Sequence, residues 1–174
     1  VSFVIRAATA AEFDAIGRLT VEAYADAGQL TNANGYARTL ADVAGRAADC
    51  EVLAAVDSDG TVLGAVAFVL PGSRYADLSR PGEAEFRMLA VAPDAQRRGV
   101  GKALVRACLA RAAAAGASSV VISVPEIATR ARRLYAGFGF QPEPERDWSP
   151  VPGVSLLALR LPVTPAGGGH SNGG

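Results

Sequence analysis

The chain has 174 residues, half of them hydrophobic, with 17 acidic and 17 basic side chains and no formal net charge. That length supports one good core and one main domain. The charge balance argues against bulk binding of nucleic acid or an anionic membrane, which would favour a basic excess. No apolar run approaches a membrane span, and the opening Val1-Ser2-Phe3-Val4-Ile5-Arg6 does not read as a signal peptide. Cys50 and Cys108 sit far apart in apolar stretches, as buried reduced thiols do. No cluster has metal-ligand spacing, and the only histidine, His170, stands in a glycine-rich tail. The expectation is a cytoplasmic protein without a metal.

Residues 2–7 read as a first strand. Thr9 is a good N-cap, and Glu12 completes a capping box for a helix that carries Phe13, Ile16, Leu19, Thr20 and Ala23 on one face. That helix ends near residues 25–28, and residues 32–35 form a turn. Residues 36–48 are expected to form a second, single helix, with Leu40, Val43 and Ala47 buried. Residues 51–56 and 61–70 make a hairpin around Asp57-Ser58-Asp59-Gly60. The loop 71–82 that follows contains Arg74, Tyr75, Asp77 and Arg80, and loops of this length are often functional.

Residues 85–110 form the centre of the chain. A strand comes first, with Leu89 and Val91 alternating around Ala90 and with Phe86 and Met88 on the opposite parity. Pro93 stops it. From Lys102 the apolar period becomes helical through Ala103, Leu104, Ala107 and Cys108. Between strand and helix lies Gln96-Arg97-Arg98-Gly99-Val100-Gly101, a basic turn punctuated by glycines. Free N–H groups and the positive end of the macrodipole meet there, yet the side chains are cations, which oppose the dipole. An anion in the site would reconcile them. The turn is neither the Walker pattern, since Ala103 follows Lys102, nor the dinucleotide fingerprint.

Residues 119–124 read as a short strand parallel to the central one, joined to it by a right-handed crossover. A helix over 129–136 follows, and Gly137-Phe138-Gly139-Phe140 turns into another strand. Residues 141–153 are proline-rich and include Trp148, and residues 154–161 form a final strand. The domain is expected to span 1–162, with a flexible glycine-rich tail over 163–174.

The turn Gln96-Arg97-Arg98-Gly99-Val100-Gly101, the strand Leu89-Ala90-Val91-Ala92-Pro93 before it, and Ala131-Arg132-Arg133-Leu134-Tyr135-Ala136-Gly137-Phe138-Gly139-Phe140 after it resemble the GNAT superfamily of acyl-CoA N-acyltransferases. The resemblance implies an α/β (α+β) fold. Its mixed, mostly antiparallel twisted sheet would have a central parallel pair splayed to admit CoA, and helices on both faces. It implies acetyl-CoA as acyl donor, bound by Leu89, Ala90, Val91, Gln96, Arg97, Arg98, Gly99, Val100, Gly101, Lys102 and Ala131. With the balanced charge, no nucleic acid or membrane partner is expected, and the expected state is a monomer or homodimer. One departure is visible at Ala128, where the family often has an asparagine on the pantetheine arm. The two N-terminal helices and their linker would wall the acceptor site, making Tyr24, Asp26, Gln29, Asn32 and Tyr36 possible contacts, with Tyr75 and Asp77 from the loop opposite.

Acyl transfer to an amine also needs a proton acceptor and an acid for the leaving thiolate. Glu83, Glu85 and Glu126 are candidate bases. Glu85 leads because strand parity groups it with Arg87, Leu89 and Val91. Tyr135, matched by the family's motif, is the expected acid, since a phenol holds its proton at neutral pH. No serine, cysteine or histidine forms a convincing triad, so direct transfer is the economical mechanism. The leading expectation is an N-acetyltransferase for a small amine, amino acid or peptide. The alternatives are a non-catalytic acyl-CoA sensor or regulatory module and, with nothing specific in its favour, an interaction protein.

Overall fold

Glu12 starts the first helix as the sequence predicts. Its carboxylate accepts from the Thr9 N–H at 2.8 Å and from Arg6 at 2.8 and 2.9 Å. The helix opens as a 3-10 turn, Ala10–Glu12, before α1, Phe13–Asp26. The computed structural model describes residues 2–30 and 35–166. Asn32, His170 and the end of the tail therefore lie outside the described residues.

The single helix expected over 36–48 is two, α2 (Tyr36–Ala41) and α3 (Val43–Asp49). Asp42 breaks it. Its backbone leaves the helical region, and its carboxylate caps α3 by accepting from Gly45 N–H at 3.0 Å. Asp competes with the helix in this way wherever a cap is available. Arg46, buried to 2%, donates to the Thr39 and Leu40 carbonyls and so satisfies the C-terminus of α2.

The strands are β1 (Phe3–Ala7), β2 (Glu51–Asp57), β3 (Val62–Val69), β4 (Glu83–Val91), β5 (Ser119–Pro125), β6 (Gln141–Pro142) and β7 (Leu156–Pro162). They form one sheet in the order β1-β2-β3-β4-β5-β7-β6, with only β4 and β5 parallel. The crossover between those two is α4, Val100–Ala114, and α5 is Thr129–Gly137. This is the mixed, helix-covered α/β sheet that the sequence implies.

Each face of the sheet has its own core. Val100, Leu104 and Cys108 of α4 and Tyr135 of α5 pack with Phe86, Ile122 and Val124 on one face. Ile16 of α1 and Val43 of α3 pack with Val52, Ala54 and Ala65 on the other. Past β7, Val163 N–H donates to Ser118 C=O at 2.9 Å and Ala166 N–H to Ala113 C=O at 2.8 Å.

The sequence gives no warning of Gly64. A Cβ there would lie 2.9 Å from both the Ala90 carbonyl and Val100 Cγ1, so only glycine lets the start of α4 settle onto β3 and β4.

Candidate functional site

The site begins where β4 and β5 part. Their pairing covers only Glu83, Ala84 and Glu85 against Ser119, Val120 and Val121. Beyond it β5 stays with β7 and β4 stays with β3. Arg87 pairs with Ala67 and Ala90 with Ala65, so β4 carries one extra residue in this interval, and Met88 stands in the left-handed region at φ 57°. A bulge of this kind turns the strand and frees its edge.

The bulge also corrects the strand parity. Ala84 and Phe86 face the α4 core before it, and Leu89 and Val91 face that core after it. Glu85 and Arg87 therefore point to the opposite face, away from Leu89 and Val91.

The basic turn closes the end of the gap. Arg97 and Gly99 are both left-handed, at φ 67° and 80°. Gly99 caps α4, and the first amide to bond back is Ala103 N–H, to the Gly99 carbonyl at 3.0 Å. The amides of Val100, Gly101 and Lys102 are thus the unpaired donors of a helix start. Gly99 owes its identity to its φ, since a Cβ there would meet nothing within 4 Å. Gly101 has ordinary room, 3.6 Å from Leu134 and 3.7 Å from Val91.

Among the described residues, no ion pair includes Arg97, Arg98 or Lys102, and Arg98 Nε is buried without a hydrogen-bond partner. Free amides, unpaired cations and an orphaned guanidinium nitrogen fit a bound polyphosphate such as that of CoA. Val100 itself is buried in the core, so it can offer only its amide. Ala131 and Leu134 of α5, both half-buried, pack against the same core.

Tyr135 stands on this face. Its ring meets Phe86, the first β4 residue past the parallel pairing, edge-on at 5.7 Å, and Phe140 at 5.9 Å. Its hydroxyl has no hydrogen-bond partner among the described residues, and burial pushes its pKa up, so the phenol keeps its proton.

The opposite face is held together by Arg87. It donates to the Tyr75 carbonyl at 2.8 Å and to the Tyr36 hydroxyl at 3.5 Å, and pairs with Asp77 at 3.2 Å. Burial alone would lower it, but Tyr36, Asp77 and Glu85 hold it above its ordinary value. Tyr24 of α1 lies 6.0 Å from Tyr36, ring to ring. Burial raises the Tyr24 phenol, and Tyr36 and Tyr135 add to the rise. The structure thus gathers Tyr24, Tyr36, Tyr75 and Asp77 into one wall. Asp77 is also raised, burial outweighing Arg87.

Glu85 is fully buried and accepts from the amides of Asp77, Leu78 and Ser79 at 3.2, 3.1 and 2.9 Å. Burial raises its carboxyl, and those three amides pull the other way. Glu83 is taken up by Arg146, at 2.9 Å, and Glu126 is exposed.

The loop over 71–82 is anchored from four sides. Glu85 and Arg87 hold its middle, Asp49 accepts from Ser73 Oγ and Arg74 N–H at 2.6 and 2.8 Å, and Arg146 donates to the Leu78 carbonyl. Trp148 Nε1 donates to Ser123 Oγ at 3.0 Å, on the same side of β5 as Val121. Arg87, Arg146 and Trp148 were not singled out by sequence as acceptor-side residues. Arg87 links to Tyr36 over 51 positions, Arg146 to Glu83 over 63 and Trp148 to Ser123 over 25, and no local pattern marks them.

No helix among the described residues is long and apolar enough to cross a membrane, and no group of three His, Cys, Asp or Glu among them could hold a metal ion. No curated protein matches the chain. A GCN5-related N-acetyltransferase from Kribbella flavida is 25% identical, with a TM-score of 0.68 over 92% of this chain and 98% of that one. A structure from Corynebacterium glutamicum, described as histone acetyltransferase HPA2 and related acetyltransferase, is 24% identical with a TM-score of 0.70, over 95% and 99%. A putative acetyltransferase from Salmonella typhimurium, yncA, solved with its cofactor acetyl-CoA, shares the fold at 21% identity and a TM-score of 0.65, over 94% and 95%. The model of the acetyltransferase (GNAT) family matches residues 16–140, most of the chain. The chain belongs to that family.

Proposed function

We propose that the protein transfers an acetyl group from acetyl-CoA directly to the primary amine of a small molecule, an amino acid or a peptide. One observation carries the reading. The gap between β4 and β5 has the basic turn and the unpaired amides of the α4 start at one end, Tyr135 on one face and the Arg87-centred aromatic wall on the other.

Acetyl-CoA supplies an activated acyl group as its thioester. The turn amides, with Arg97, Arg98 and Lys102, hold its phosphates. The freed edge of β4 from Leu89 to Val91 offers backbone groups to the arm, one N–H polarising the carbonyl oxygen. Tyr24, Tyr36, Tyr75 and Asp77 receive the acceptor. As the new C–N bond replaces the C–S bond, Tyr135 gives its phenolic proton to the departing sulfur. Water takes the amine's proton, and Tyr135 is reprotonated from solvent.

Glu85, expected as the base, is better placed as a positioning group. Three amides occupy its oxygens, and its face is set by the loop it holds. The geometry also favours transfer over mere sensing, because a sensor needs neither an unbonded phenol at the gap nor a wall opposite it. The reading is tested by following free thiol release from acetyl-CoA across a panel of amines. Release that depends on an amine supports it, and tight binding with no release for any amine supports the sensor.

A further inference from the structure

The lip opposite the basic turn is the start of α5, and its chemistry is unusual for a helix N-terminus. Ala128 is the N-cap and offers no side-chain hydrogen bond, and the first turn holds no acid. Arginines stand at 130, 132 and 133 instead, against the macrodipole. Two of them have other surroundings. Arg132 donates to the Glu126 carbonyl at 3.0 Å, and both Arg132 and Arg133 line a recess with Phe140 and Leu157.

Arg130 is different. It reaches across the mouth of the gap and donates to Gln96 Oε1, the first residue of the basic turn. Among the described residues it belongs to no ion pair. A neutral amide oxygen offers a guanidinium no opposite charge, whereas a phosphate offers both the charge and a geometry that accepts two parallel N–H bonds. Ile127, 67% exposed on the same lip, leaves an apolar side chain beside this crossing.

We infer that Arg130 is the second jaw of the donor clamp, exchanging Gln96 for the pyrophosphate bound at the 96–102 turn and holding this lip where Ala128 cannot. The inference rests on the acyltransferase reading above. It makes the clamp two-sided, with α4 contributing amides and α5 contributing a movable charge.

The test is calorimetric. Acetyl-CoA and S-acetylpantetheine, which lacks the pyrophosphate, are titrated into the parent, Arg130→Gln and Arg130→Lys at low and high salt. The inference expects Arg130→Gln to weaken acetyl-CoA by roughly tenfold and to flatten the salt dependence. Arg130→Lys should keep most of the affinity, and S-acetylpantetheine should bind all three proteins alike. Unchanged acetyl-CoA affinity in folded Arg130→Gln overturns the inference, as does an equal loss for both donors. A parent protein that does not bind acetyl-CoA at all overturns the acyltransferase reading and this inference with it.

Discussion

The side proposed for the donor and the side proposed for the acceptor are built in opposite ways. The donor side is local: a freed strand edge, a turn with two left-handed residues and the first amides of α4, all within residues 89–103. The acceptor side is assembled over long sequence distances. Arg87 reaches Tyr36 across 51 positions, and Arg146 reaches Glu83 across 63. Backbone amides cannot tell one acyl-CoA from another beyond its shared parts, whereas aromatic and charged side chains can discriminate acceptors. The bulge at Met88 joins the two, since it turns Leu89 and Val91 toward the donor side and leaves Glu85 and Arg87 facing the acceptor side.

The largest effect should come from the group placed where the two sides meet. Tyr135→Phe removes one hydroxyl from a ring held by Phe86 and Phe140, so folding and acetyl-CoA affinity should stay as in the parent. The single-turnover rate should fall by about 10²-fold or more, the range of a general acid. An unchanged rate would make Tyr135 a packing residue and leave the two sides without a shared catalyst.

Next in size is Arg146→Ala, which strips Glu83, Glu143 and the Leu78 carbonyl of a buried partner. Breaking such a pair costs about 3 kcal/mol or more, measurable by urea unfolding. Amine turnover should suffer while acetyl-CoA affinity holds. The link also has a pH signature. Burial pushes Glu83 up, but hydrogen bonds from Arg146 and the Arg80 amide more than offset it, so its folded pKa is depressed. Its stabilisation is therefore present above the ordinary carboxylate range and lost as pH falls through the folded value. Arg146→Ala should flatten the acid limb of the stability profile, and an unaltered limb would detach Glu83 from it.

The donor side was legible in sequence because its chemistry is contiguous. A strand, a proline stop, paired glycines and cations at a helix start announce themselves in order. Tyr24, Tyr36, Tyr75 and Asp77, proposed here for the acceptor, were grouped from sequence only as a set, and the arginine that unites them was not singled out. Parity failed at Glu85 for a physical reason. A bulge adds one residue and exchanges the faces of everything after it, and Met88 in the left-handed region has no residue-type signal. The break at Asp42 was hidden by an alanine-rich pattern that continues through it.

The smallest effect expected is that of Asp77→Asn. Asp77 already pairs with Arg87 at 3.2 Å, so its charge is partly neutralised before any amine arrives. The KM for the amine should rise several-fold, less so at high salt, and acetyl-CoA affinity should not move. A change confined to acetyl-CoA would blur the division between the two sides.

That division is tested most directly by amide hydrogen exchange with and without saturating acetyl-CoA. The account predicts that protection appears along 87–92, in the turn and first helical turn over 97–103, and on the freed edge of β5, while the loop 71–82 exchanges as before. Protection of 71–82 with none over 97–103 would contradict it and move the donor to the face assigned here to the acceptor.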